Sequence, residues 1–319
     1  MELSGVSAST PSLPPPVRPG DRVGVAALSG PVDPERLERG LAALERLGFE
    51  PALAANLRSR HGLFAGDDDR RLAAFHELAG DPSVRAIVFA RGGHGVLRLL
   101  PRIDWRLLAR HPRAYVGYSD LTPFLLAVVQ RLGLVAFHGP MAAADLARGL
   151  DEREERSFLD ALAGRIGRSL PLAGWLREGP SEGAAEGPLL GGCLSLLTAV
   201  QGTPWAPALD GAILFWEDVE EPLYRLDRML THLELSGSLR AVRGMVIGHC
   251  RPTEPEPESP SEPSWRLGLA EALAGHRWPV AWGLESGHRA PNLTLPLGVP
   301  ACLDPAAAAL VISFDHVTR

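Results

Sequence analysis

Between Asp21 and Leu132 the chain alternates short apolar runs with helical stretches three times over, which restricts it to a small set of folds. The first run, DRVGVAALS (Asp21 to Ser29), reads as a buried strand running into a Ser-Gly-Pro loop. Asp33-Pro34 then opens a helix in which Leu37, Leu41, Leu44 and Leu47 recur at helical spacing, with Gly48 as its stop. A helix over Asp67 to Leu78 leads into the strand Val84 to Ala90, which ends in Arg91-Gly92-Gly93-His94-Gly95. The third strand, Ala114 to Gly117, passes through Tyr118-Ser119-Asp120 into a helix over Leu121 to Leu132. Strands alternating with helices imply a parallel sheet covered by helices. Ligands of such sheets bind beyond the C-terminal strand ends, where both the RGGHG and GYSD loops fall.

After about Leu146 the character changes. Up to Gly187 the chain is charged and then rich in Gly and Pro, with no long apolar run, which reads as an interdomain connection. Beyond it lie short strand-like runs at Ala212 to Trp216, Met245 to Gly248 and Leu310 to Phe314, with helices at Tyr224 to Glu234 and Trp265 to Ala274. The expected organisation is a flexible tail over 1–19, an N-terminal α/β domain over 20–145, a connection over 146–187 and a mixed α+β domain over 188–319. A length of 319 residues suits two domains. The low-complexity stretch Arg251 to Ser264 reads as a mobile surface loop.

Composition narrows the chemistry. With 45% hydrophobic and 22% charged residues the chain has the mixture of a globular protein rather than a disordered one. All 32 Lys and Arg residues are Arg, so Schiff-base and P-loop lysine mechanisms are excluded. A net charge of −6 without any basic run gives no electrostatic footprint for nucleic acid or an anionic membrane. No stretch reaches the roughly 20 apolar residues of a membrane helix. The N-terminal residues lack the apolar core of a signal peptide, and Cys193, Cys250 and Cys302 form no close pair, so the expected location is the reducing cytoplasm.

Four motifs carry candidate chemistry, each with a plain structural alternative. Gly117-Tyr118-Ser119 puts a serine at a strand-to-helix turn, the setting of a nucleophile elbow, although the glycine that follows the serine in G-x-S-x-G is missing. A helix N-cap is the alternative for Ser119. The RGGHG loop offers backbone N–H groups for an oxyanion or a phosphate, or is an ordinary βα turn. Phe215-Trp216-Glu217-Asp218 ends an apolar strand in two carboxylates that could orient a histidine, or form a solvated acidic turn with Glu220 and Glu221. Gly287-His288-Arg289 holds a loop histidine suited to general base work, or a surface residue. No HExxH pair or other dense ligand spacing points to a metal.

Taken in order, the blocks PGDRVGVAALSGP, FARGGHGVLRLLPRIDW, YVGYSDLTPFLLA, GPLLGGCLSLL, FWEDVEEPLYRLDRMLTHL and GHRAPNLTLPLGV resemble the LD-carboxypeptidase family of serine peptidases, from about Pro19 to the C terminus. That family includes murein tetrapeptide carboxypeptidases and microcin-C self-immunity peptidases. The resemblance implies a flavodoxin-like N-terminal sheet, a smaller C-terminal domain and an active site in the cleft between them. It makes Ser119 the nucleophile, Glu217 and His288 the rest of the triad, and the backbone N–H groups of Gly93 and Asp120 the oxyanion hole. It further implies no cofactor and no metal, a murein peptide as substrate and a homodimer as the assembly. Two positions depart from the pattern, since His94 stands where an aromatic residue is common and Cys193 where Asn is. The alternatives are an immunity peptidase cutting a peptidyl or aminoacyl-adenylate analogue, and a non-catalytic ligand-binding module.

Overall fold

The computed structural model describes residues 11–178, 184–250 and 265–313, and the low-complexity stretch 251–264 lies outside them. The chain divides into two compact units. Of the described residues, unit 1 comprises those up to Ile166 and the returning segment Pro291–Gly298, and unit 2 comprises those within Gly167–Ala290 and 299–313.

Unit 1 is built on β1 (Arg22–Ala26), β2 (Glu50–Leu53), β3 (Val84–Phe89), β4 (Ala114–Gly117) and β5 (Ala136–His138), all parallel. The spatial order is β5-β4-β3-β1-β2, and a sixth strand, Leu295–Leu297, adds antiparallel to β5 at the edge. The helices between them are those the apolar spacing demands. In α1 (Pro34–Arg46) the Asp33 side chain caps the first turn by accepting from the Arg36 N–H at 2.8 Å, and Leu37, Leu41 and Leu44 are buried. Helices α2 (Asp68–Gly80), α3 (Val96–Leu99), α4 (Trp105–Arg110) and α5 (Thr122–Leu132) follow. Helix α5 buries Phe124, Leu125, Leu126 and Val128, and it ends at Gly133, whose φ of +59° makes the left-handed C-terminal stop. Phe124 meets Phe75, Phe89 and Tyr115 edge-on at centroid distances of 5.6, 5.3 and 5.3 Å, so an aromatic cluster anchors α5 to the sheet.

Three stretches differ from the sequence expectation. Residues 11–19 are not a loose tail: the Ser12 N–H donates to the Gly133 carbonyl at 2.9 Å, the Val17 N–H to the Leu162 carbonyl at 2.8 Å, and Leu13 and Val17 are buried. Residues 146–187, expected as a connection, contain α6 (Glu152–Leu162), which has a full Asp151/Glu154 capping box and buries Phe158 and Leu162 in unit 1. The next two strands, β6 (Arg168–Pro171) and β7 (Gly174–Arg177), belong to unit 2. The apolar run Leu293 to Leu297, expected in the second domain, returns to unit 1. There the Asn292 and Thr294 N–H groups donate to Glu154 at 2.7 Å and to the Ser157 hydroxyl at 3.1 Å.

Unit 2 continues with β8 (Ala185–Cys193), α7 (Leu194–Ala199), β9 (Ile213–Glu217), α8 (Leu223–Leu235), β10 (Gly244–Ile247), α9 (Trp265–Ala272) and β11 (Val280–Trp282). Counting Leu295–Leu297 as β12, the chain closes with β13 (Pro300–Asp304) and β14 (Ala309–Ile312). Its eight-stranded mixed sheet runs β6-β14-β13-β8-β9-β10-β11-β7. The central four strands β8, β9, β10 and β11 are parallel, and the flanking strands pair antiparallel. The fold is thus two α/β units, a mainly parallel one followed by a mixed one, with no closed barrel among the described residues.

Candidate active site

In unit 1, β4 is buried along its whole length and delivers Tyr118 in an extended conformation to Ser119. Ser119 has φ +60°, a left-handed backbone that only three non-glycine residues adopt among those described. Such a conformation costs on the order of 1–3 kcal/mol and persists only where the surroundings hold it. A 3₁₀ turn over Ser119–Leu121 then leads into α5, and no side chain caps either helical start, so Ser119 is not serving as an N-cap. The turn is tight because the residues around it are small. A Cβ on Gly92 would lie 2.8 Å from both Cβ and Oγ of Ser119, and one on Gly117 would lie 3.1 Å from the Phe89 ring.

The RGGHG loop packs its first glycine directly onto the serine. Gly93 and Gly95 have φ of +120° and +124°, which side-chain-bearing residues rarely adopt, so the loop is more specialised than a simple βα turn. Asp120 is 2% exposed, and its Oδ2 accepts from the Ser29 hydroxyl at 2.7 Å and from the Val96 N–H at 2.9 Å. Ser29 had no signal of its own in the sequence beyond its place at the end of the β1 run.

In unit 2, Glu217 ends β9 and is fully buried. Its Oε2 lies 2.6 Å from His288 Nδ1 and also accepts from the His288 backbone N–H at 3.2 Å. The partner is admitted by Gly287, with φ +128°, where a Cβ would fall 2.6 Å from Glu217 Oε2. Burial raises the Glu217 carboxyl above its ordinary value, an effect opposed by the hydrogen bond and charge of His288. The other oxygen, Oε1, is buried without a hydrogen-bond partner among the described residues.

The adjacent carboxylates have separate duties. Asp218 Oδ2 accepts from the Ser195 N–H at 2.8 Å in the first turn of α7, and Oδ1 accepts from its neighbour Val219 N–H at 2.8 Å. It is a structural brace rather than a histidine partner. Cys193 pairs in register with Glu217 across β8 and β9, and its buried thiol is pushed well above the usual range, first by burial and then by the two carboxylates. Ser119, Asp120 and Gly93 therefore lie in unit 1, and Glu217 and His288 meet in unit 2. Among the described residues no group of three or more His, Cys, Asp or Glu side chains is arranged to hold a metal ion, and no helix is long and apolar enough to cross a membrane.

Comparison with known proteins accounts for both units. Residues 23–139 match the LD-carboxypeptidase N-terminal domain and residues 186–303 the LD-carboxypeptidase C-terminal domain. A probable murein peptide carboxypeptidase of Bacillus subtilis is 36% identical over 303 residues, covering 92% of each chain. The murein tetrapeptide carboxypeptidase of Pseudomonas aeruginosa is 34% identical over 294 residues, covering 89% of this chain and 93% of its own. Among solved structures, the muramoyltetrapeptide carboxypeptidase from Oxalobacter formigenes superposes with a TM-score of 0.81 at 32% identity, covering 93% of this chain and all of that one. The microcin C7 self-immunity protein MccF in its wild-type apo state gives a TM-score of 0.86 at 26% identity, covering 97% of this chain and all of that one. A two-unit α/β fold with these relatives defines a serine peptidase. The chain belongs to the LD-carboxypeptidase family.

Proposed function

We propose that the protein is a cytoplasmic carboxypeptidase that hydrolyses the L,D-amide bond of murein tetrapeptide and releases its terminal D-alanine, with Ser119, Glu217 and His288 as the triad. The observation that carries this reading is the left-handed backbone of Ser119 at a strand-to-helix turn with Gly92 pressed against its hydroxyl. Nucleophile elbows hold their serine in just such a strained turn.

The remaining parts have roles that follow from their chemistry. An ionised Glu217 can only accept, so His288 Nδ1 carries the proton in that hydrogen bond and Nε2 is left to act as a base. In the proposed reaction Ser119 Oγ attacks the scissile carbonyl while His288 Nε2 takes the hydroxyl proton, and Glu217 supports the imidazolium. The N–H groups of Gly93 and Asp120 stabilise the oxyanion. The C–N bond then breaks as His288 protonates the leaving amine of D-alanine. Water attacks the acyl ester in the second half, giving its proton to His288, and the shortened peptide leaves with a free carboxylate as Ser119 regains its proton.

Murein peptide is favoured over a microcin-type substrate because the murein peptidases of B. subtilis and P. aeruginosa are 36% and 34% identical, against 28% for the microcin C7 self-immunity protein of Escherichia coli. Cys193, which is buried, and Cys250, which is half-buried, form no disulfide among the described residues, which suits a reducing compartment. A homodimer completes the reading. Mass spectrometry of murein tetrapeptide incubated with the protein tests it: loss of one D-alanine with wild type and none with Ser119→Ala supports the proposal. Turnover of an aminoacyl-sulfamoyl nucleotide in place of the tetrapeptide would redirect it to the immunity class.

A further inference from the structure

Three loops of unit 1 meet at Ser119. They are the segment after β1 (27–31), the segment after β3 (90–95) and the turn 118–121. Two buried charged side chains stitch the first two together at neighbouring residues. Asp120 takes its hydrogen bonds from the Ser29 hydroxyl on one loop and the Val96 N–H at the end of the other. One residue away on each side, Arg71 donates to the carbonyls of Leu28 and Gly95. Arg71 is itself fully buried and is held at its other end by Asp68 at 2.6 Å. On the outer side the Gly30 N–H donates to the Gly92 carbonyl at 3.2 Å, and Arg91 donates to the Pro31 carbonyl at 3.2 Å.

The glycine pair 92–93 thus hangs between fixed points, one of which, at Val96, is held by the carboxylate of the residue that follows Ser119. The backbone nitrogen of Asp120 lies 3.5 Å from where a Gly92 Cβ would sit, next to the Ser119 hydroxyl contact. Asp120 thus carries, in one residue, the amide beside Gly92 and the carboxylate that binds Ser29 and Val96, directly after the left-handed Ser119. One carboxylate oxygen that accepts from two donors on different loops suits a fixed spacer. A surface turn held only by backbone contacts would need no buried carboxylate, and burying one carries a cost that its hydrogen bonds must offset.

We infer that the Asp120 side chain, with Ser29 and Arg71, is a positioning device that holds the amides of Gly93 and Asp120 at the spacing an oxyanion requires. The inference rests on the proposed nucleophilic role of Ser119. Asp120 acts in it through the backbone groups it fixes.

The test uses the full-length protein, a fluorophosphonate probe run to completion to count reactive sites, and kcat expressed per labelled site. Asp120→Asn lowers kcat per labelled site by about 10²-fold, the scale of losing one oxyanion donor, and leaves KM nearly unchanged. Ser29→Ala, a milder change, lowers it in the same direction. The double variant is no worse than Asp120→Asn alone, because the two residues form one unit. Binding of a peptide aldehyde, whose adduct carries the oxyanion, weakens in parallel with kcat. A purely structural role would reduce the number of labelled sites and leave kcat per site intact, and that result overturns the inference, as do losses that multiply in the double variant. Failure of the underlying reading is distinguishable, since wild type would then label at a residue other than Ser119, or Ser119→Ala would retain turnover.

Discussion

Substituting Gly92 by alanine is a clean steric probe, because the new methyl would stand 2.8 Å from both Cβ and Oγ of Ser119. Carbon contacts are comfortable at about 3.5–4.0 Å, so the serine or the loop must yield by roughly 0.7 Å or more. Gly92 is not among the glycines with positive φ, so the alanine adds no backbone strain of its own and the clash is the whole perturbation. Functional constellations tolerate about 0.5 Å of error, and a 1 Å misplacement can cost about 10²-fold in rate. Overpacking costs about 1–3 kcal/mol, corresponding to several degrees in Tm. The expected result is therefore a kcat for D-alanine release near 1% of wild type, a small change in KM and a folded protein by circular dichroism. Gly20→Ala, at a positive-φ glycine with nothing within 4 Å of its new methyl, controls for strain without a clash and keeps full activity. A fully active Gly92→Ala would refute the reasoning that the loop and the serine hydroxyl form one surface.

On the other unit, Gly287→Ala would drive a methyl to 2.6 Å from Glu217 Oε2, and it should separate the histidine from its carboxylate and lower kcat by about 10²-fold or more, read in the same assay. Glu217→Gln keeps the shape but loses the charge, and should reduce kcat by about 10²–10⁴-fold. Asp218→Asn should instead cost about 1 kcal/mol of stability through α7 and leave kcat near wild type, measured by thermal melts beside kinetics. Burial raises the Glu217 carboxyl above the ordinary 4.5, so the native state holds a proton there more tightly than the unfolded chain does, and ionising it costs stability. The resulting penalty is absent below about pH 4.5, grows as pH rises from there and levels off once pH passes the raised native value, so Glu217→Gln should gain Tm relative to wild type at neutral pH and not near pH 4. Exhaustive chelation should leave hydrolysis intact, and restoration of a lost activity by zinc would contradict the serine mechanism.

The parallel core of unit 1 was legible in the sequence because a strand such as Val84–Phe89 is buried at every position but Arg85 and reads as a nearly continuous apolar run. The segment 168–177 was not, since RSLP and GWLR lie toward the margins of the unit 2 sheet and are mostly half-exposed, with little apolar signal. Helix α6 hid behind its charges, its buried face resting on Phe158, Ala161 and Leu162 within EREERSFLDAL. The return of Leu295–Leu297 to unit 1 could not be read locally, because it is decided by pairing with Ala136–His138, far away in sequence. At the candidate site, adjacency in sequence made Glu217 and Asp218 look interchangeable. The alternation of a strand end sends one to His288 and the other to the α7 amide, which only coordinates reveal. Ser29 and Arg71 escaped for the same reason, being defined by the loops they join.

The central claim, that Ser119 is the nucleophile, is tested most directly by peptide mapping of the protein after complete inactivation by a fluorophosphonate. The account predicts one phosphonyl group per chain, on the peptide containing Gly117-Tyr118-Ser119-Asp120, with loss of D-alanine release in proportion to labelling. Complete labelling of a different residue, or full hydrolysis by protein phosphonylated at Ser119, would contradict it.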